Sequence, residues 1–123
     1  MIRVCRPGGK ILIADIALPP EKSQAFDAME VIRDPSHVHA LTTAEFARLI
    51  NEAGLEYCHR THYGVDIELE AQIKASFPLP GNAKRLRAMI TADIGIDRFG
   101  LGVERRNGQI RYTVPIEVYV GTK

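Results

Sequence analysis

Four histidines, two cysteines and a few loop or strand-end carboxylates are the side chains in this 123-residue chain that could carry chemistry. His37 and His39 stand two apart in a polar stretch, Asp34 to Ala40. Imidazole titrates near neutrality, so either ring could hold or accept a proton, or contact a substrate. The plainer alternative is a polar loop that supports the helix start beside it. Asp15 closes an apolar run. In open α/β sheets ligands gather beyond the carboxyl ends of strands, which makes Asp15 a candidate contact rather than only a solvated carboxylate. His59 and His62 are three apart on an expected strand and so leave on opposite faces. No cysteine or carboxylate cluster completes a set with the histidines, and no metal site is expected. Cys5 and Cys58 make no CxxC pair. They are expected to be reduced and buried, not bridged or nucleophilic. The short basic groups Lys84-Arg85-Arg87 and Arg105-Arg106 lack interleaved aromatics and read as solvated faces, not a nucleic-acid surface.

These residues need elements to position them. Arg3 to Arg6 read as the last turn of a helix that Pro7-Gly8-Gly9 breaks. A helix that begins at its own last turn suggests a sequence that opens mid-domain. Lys10 to Ile16 is a continuous apolar run, suited to a strand buried on both faces. Pro19-Pro20 opens a helix over 21–33, with Ala25, Met29 and Ile32 at i, i+4, i+7 and Phe26 beside them. After the 34–40 loop comes a capping box, with Thr42 as N-cap and Glu45 at N3, and Leu41 and Phe46 in the staple positions. Phe46, Leu49, Ile50 and Ala53 make its expected buried stripe, and Gly54 its stop. A strand over 55–65 follows, then a short helix capped by Asp66, a turn at 78–81, and a helix over 82–94. Asn107-Gly108 marks a hairpin turn. Segments 109–114 and 116–120 flank Pro115, which suggests a bend or an edge. Strands alternating with helices argue for an α/β layered fold.

Length and composition suit one compact domain over 1–123. A net charge of +1 gives no general attraction to nucleic acid or to membranes. No apolar run could span a bilayer, and Pro7 arrives before a signal-peptide core could form, so a cytoplasmic location is expected.

Three stretches in order resemble class I SAM-dependent methyltransferases. They are Arg3-Val4-Cys5-Arg6-Pro7-Gly8-Gly9-Lys10-Ile11-Leu12-Ile13-Ala14-Asp15, Arg33-Asp34-Pro35-Ser36-His37-Val38-His39-Ala40-Leu41-Thr42, and Pro115-Ile116-Glu117-Val118-Tyr119-Val120-Gly121-Thr122-Lys123. The first resembles the family's helix–turn–strand after its fourth strand. The second resembles a stretch of the branch that includes ubiquinone-biosynthesis-like enzymes, and the third resembles the last, antiparallel strand. The resemblance implies a partial Rossmann-like fold, a small mixed sheet of the family's fifth, seventh and sixth strands in that spatial order, with flanking helices. It implies that Asp15, Arg33 and Asp34 lie on the substrate side, and that the loop of His37 and His39 borders the pocket with a catalytic role.

The same resemblance implies SAM as the methyl donor, but the glycine-rich turn that would hold it is not in this chain. G-x-G-x-x-G is absent, because Gly100-Leu101-Gly102 is followed by Arg105 and not by a third glycine. The chain is therefore expected to be a C-terminal, substrate-side part of such an enzyme, without SAM binding or catalysis of its own. Two alternatives stay open. In one, the chain is a homodimer joined through the exposed edge strand 11–16 or through swapped elements. In the other, it is a remnant that binds a small hydrophobic ligand.

Overall fold

A computed structural model describes all residues, 1–123. A short 3-10 turn, Ile2–Val4, precedes β1 (Lys10–Leu18). Then follow α1 (Pro20–Arg33), β2 (Leu41–Thr42), α2 (Thr43–Glu52), β3 (Glu56–Glu68), α3 (Leu69–Ser76), α4 (Asn82–Ala92), β4 (Glu104–Arg106) and β5 (Gln109–Thr122). The sheet order is β2-β1-β5-β3, with β4 pairing β5 as a hairpin arm. β5 runs antiparallel to both β1 and β3, and β2 runs parallel to β1. The mixed α/β sheet and the order first, last, middle for its three long strands are those expected from the sequence.

Two cores sit on opposite faces of this sheet. Leu18, Phe26, Met29, Ile32, Leu86 and Ile90 belong to the larger, which joins α1, α3 and α4 to one end of β1 and β5. The smaller gathers Ala17, Phe46, Ile50 and Tyr119 under α2, where the Phe46 and Tyr119 rings stack with centroids 4.8 Å apart. α1 begins with Pro20 in its first turn, where the missing N–H costs nothing, and ends with Arg33 against the C-terminal dipole. α2 starts on the full capping box of Thr42 and Glu45. The hairpin at Asn107-Gly108 has positive φ at both residues, the geometry of a type I′ turn.

Several expectations are corrected. β1 is not buried on both faces: Ile11 is covered, but Leu12 is 59% exposed and Ala14 and Asp15 lie open. The larger core reaches only the Ile16–Leu18 end, and β2 pairs β1 only at Ala17 and Leu18. The 10–16 stretch thus has a strand on one side only. Leu49 is 47% exposed, because α2 buries only Phe46 and Ile50. Cys58 is exposed and Cys5 half-buried, so neither is a core thiol. β3 runs on to Glu68, whose carboxylate caps α3, and Asp66 instead pairs with Arg106 and Arg111. α4 stops at Ala92, short of residue 94. Pro115 lies within one continuous strand at the centre of the sheet, opposite Gly64. The β1–β5 register ends at Ile116, so the missing Pro115 N–H falls just past the last paired residue.

Candidate functional site

A cleft of about 380 Å³ opens between α1, the carboxyl end of β1, the 34–40 loop and the middle of β5. Asp15, Arg33, His37 and His39 all border it, four residues that the sequence singled out from two segments, 3–15 and 33–42. Ile16, Phe26, Met29, Val114 and Ile116 supply the apolar lining, and Tyr112 and Gln72 add polar groups. Asp34 does not line the cleft. It ends α1, and its carboxylate accepts bonds from the Ser36 amide and hydroxyl, which turn the loop.

Asp27 organises the histidines. Its Oδ1 takes hydrogen bonds from His37 Nε2 at 2.7 Å and from the Ala40 amide at 2.7 Å, and its Oδ2 meets His39 Nδ1 at 2.7 Å. His39 Nε2 then reaches Glu45 Oε2 at 3.1 Å, the carboxylate that closes the capping box of α2. One hydrogen-bonded chain therefore runs from α1 through the loop to the start of α2. Partial burial alone would raise the Asp27 carboxyl. The bonds from His37, Ala40 and His39 outweigh it and hold the group below the usual carboxylate value. Bonds to Asp27 and Glu45 raise His39 above its ordinary value. The Thr42 amide, His39 and the Thr42 hydroxyl bring Glu45 down to about 2.

These bonds separate the two histidines chemically. Both ring nitrogens of His39 face carboxylates, which suits a held imidazolium and leaves no lone pair for a substrate. His37 uses Nε2 on Asp27, and its Nδ1 makes no bond within the chain. An aspartate that fixes one imidazole nitrogen and leaves the other free is the arrangement that orients a general base. The ring is also held edge-on by Phe26, with centroids 6.0 Å apart.

On the far wall Arg33 is engaged by Glu30, three residues earlier on α1, and its Nη1 donates to the Ser76 hydroxyl at 2.8 Å. The bond to Glu30 raises the guanidinium further above its already high value. Burial pushes the Tyr112 phenol up to about 12, so it stays a neutral donor. Asp15 is exposed at the rim, its Oδ1 accepting the Ile16 amide at 2.8 Å. It lies opposite Glu117 in the sheet, and Glu117 is bound by Arg60 and Thr43. His59 and His62 sit on β3 opposite Val120 and Glu117, away from the cleft. A second cleft of about 430 Å³ between α1 and α4 is larger but almost wholly apolar. Its one carboxylate, Asp93, is spent on the Arg98 and Phe99 amides, whereas the His37 cleft holds an imidazole nitrogen with no partner in the chain.

Asp27, Glu30, Gln72 and Tyr112 were not singled out from the sequence. The i, i+3 spacing of Glu30 and Arg33 is a local sign of their pair. Asp27 has none, since its partners lie 10 to 13 residues on and reach it only once the loop folds back over α1.

The Gly100-Leu101-Gly102 turn is explained by packing. A Cβ on Gly100 would meet Leu18 and Lys22 side chains at 3.1 and 3.2 Å, and the Gly102 amide is bound by Asp97. No helix is long and apolar enough to cross a membrane.

No protein-family model matches the chain. Uncharacterized protein YafE of Escherichia coli K12 is 36% identical over 55 residues, covering 43% of this chain and 27% of YafE. Among solved structures, the YcgJ protein of Bacillus subtilis superposes with a TM-score of 0.82 at 17% identity, covering 99% of this chain and 54% of YcgJ. BH2331 of Bacillus halodurans, described as a putative methyltransferase, superposes with a TM-score of 0.74 at 21% identity, covering 99% of this chain and 59% of BH2331. The chain thus spans little more than half the length of these structures and about a quarter of YafE. What the superpositions show is a shared fold: the whole of this chain has the α/β architecture of a part of YcgJ and of BH2331.

Proposed function

We propose that this chain is the acceptor-binding, C-terminal part of a small-molecule methyltransferase that uses SAM, of the ubiquinone-biosynthesis-like branch. The observation that carries the reading is the cleft itself. It lies at the carboxyl end of a strand, where α/β folds place ligands, and it presents a histidine with one oriented and one free ring nitrogen. The description of BH2331 and the motif resemblance support the same class. SAM would supply the methyl group from a part that this chain does not provide. The chain's own residues would bind the acceptor between Met29, Phe26 and Ile116, orient it, and take its proton at His37 Nδ1.

The test joins this chain to a SAM-binding half and measures transfer of a labelled methyl group, with S-adenosylhomocysteine binding as the control for an intact donor site. The joined protein is expected to methylate small acceptors, and the chain alone to do neither. Transfer by the chain alone, or no transfer by a joined protein that binds S-adenosylhomocysteine, would overturn the reading.

A second reading concerns the open edge of β1. The 10–16 stretch, paired to β5 on one side only, and the exposed Leu12 favour pairing with a second copy when no other strand covers them. In that state the chain is a non-catalytic homodimer.

A further inference from the structure

We infer that the cleft takes a small molecule with an apolar body and a basic nitrogen, and discriminates against carboxylates and phosphates. The inference rests on the acceptor-site reading above and adds the charge of the ligand to it. Every cation that borders the cleft is already neutralised from within. Arg33 is closed by Glu30 on α1. His39 stands between two carboxylates, Asp27 and Glu45. No lysine lines the cleft, and Arg33 is its one guanidinium. Asp15 at the rim has no ion-pair partner. The groups on the wall and those bonded to them therefore carry a surplus of negative charge.

An incoming carboxylate would meet that surplus and have no guanidinium free to receive it. The bidentate recognition that arginine gives to anions is used up on Glu30. An ammonium group gains where an anion loses, because the partly enclosed walls weaken solvent screening. The apolar lining sets the rest of the ligand: Phe26, Met29, Val114 and Ile116 suit an aromatic or branched aliphatic body, and about 380 Å³ limits it to a small molecule. Tyr112, kept protonated, can donate to a polar substituent on that body.

Three ligands of one shape test this with the full chain: 2-phenylethylamine, 2-phenylethanol and 3-phenylpropionate, followed by amide shifts in two-dimensional NMR. The amine is expected to move the amides of 15–17 and 37–40 and to bind about tenfold more tightly than the carboxylate. Asp15→Asn should reduce that preference and leave the alcohol unaffected. Glu30→Gln frees Arg33 and should strengthen carboxylate binding. Equal or tighter binding of the carboxylate by the unaltered chain, shifts confined to another surface, or no shift with any of the three would overturn the inference. These titrations need no methyl donor, so they fail separately from the methyltransferase reading. A joined enzyme that methylates a carboxylate would sink the charge inference alone, and amine binding without any transfer would sink the methyltransferase reading alone.

Discussion

Asp27 receives three hydrogen bonds, two from histidine rings and one from a backbone amide, and each is charge-assisted by its carboxylate. Asp27→Asn removes the charge and turns one acceptor into a donor facing another donor. We expect it to cost about 2 kcal/mol in denaturant unfolding, the scale of a disrupted charged hydrogen bond, and to lower the His39 pKa as read by NMR. A loss below about 0.5 kcal/mol would mean that the network is ornamental. His39 also gives a pH signature with a definite sign. Its folded pKa lies above the ordinary 6.5, so its contribution is complete below about pH 6.5 and is lost as the pH rises through the folded value. Glu45 acts the other way. Held at about 2, it contributes fully above its ordinary 4.5 and loses that contribution as the pH falls toward 2. Stability from this pair should therefore be greatest between pH 4.5 and 6.5. The gap in denaturation midpoint between the natural chain and His39→Gln should be wider at pH 5.5 than at pH 8.5. An equal gap at both would contradict a held imidazolium. At this scale the sequence disclosed the histidines, since imidazoles in a polar loop are conspicuous. It hid the aspartate that distinguishes them, because an acidic residue on a helix ordinarily reads as solvated.

The elements that hold the cleft depend on local signals of unequal strength. The capping box was legible in full, because Thr42, Glu45, Leu41 and Phe46 act within six residues of one another. Thr42→Ala should cost about 1 kcal/mol and loosen Glu45, and with it one of the two anchors of His39. Circular dichroism melts of this variant beside His39→Gln would check it, since a shared network predicts less than additive losses. The strands were harder to read. A run such as Lys10 to Ile16 is the mark of a strand buried on both faces, yet burial depends on which helices lie over it, and those come from distant parts of the chain. Glycines in β3 and β5 show the same dependence on distant neighbours. A Cβ on Gly121 would sit 2.8 Å from Leu55 Cβ and 2.9 Å from Cys58 Sγ, so Gly121→Ala is expected to destabilise by about 1–3 kcal/mol. Gly64→Ala meets only the Thr113 side chain, which can turn away, and should cost less. Urea unfolding of both variants would decide, and the reverse order would contradict this packing.

Two sheet edges are open, β3 along its side away from β5 and β1 at 10–16, and the His37 cleft borders the Asp15–Ile16 end of that β1 stretch. The strand order could be anticipated because the motif resemblance carries a topology with it, whereas periodicity alone gives element types and no pairing. If the β1 edge stays uncovered, light scattering of the chain at high micromolar concentration should report a dimer. Leu12→Lys should shift it to monomer without loss of secondary structure. A monomer in the unaltered chain at that concentration would remove the self-pairing reading and leave the cleft untouched. The central claim is that the cleft is the acceptor site of a methyl transfer and that His37 takes the proton there. The measurement that reaches it most directly is the turnover of labelled methyl groups by the chain joined to a SAM-binding half, compared with the same protein carrying His37→Ala. A fall in kcat of about a hundredfold or more, with S-adenosylhomocysteine affinity unchanged, is the predicted result. An unchanged kcat would contradict the account.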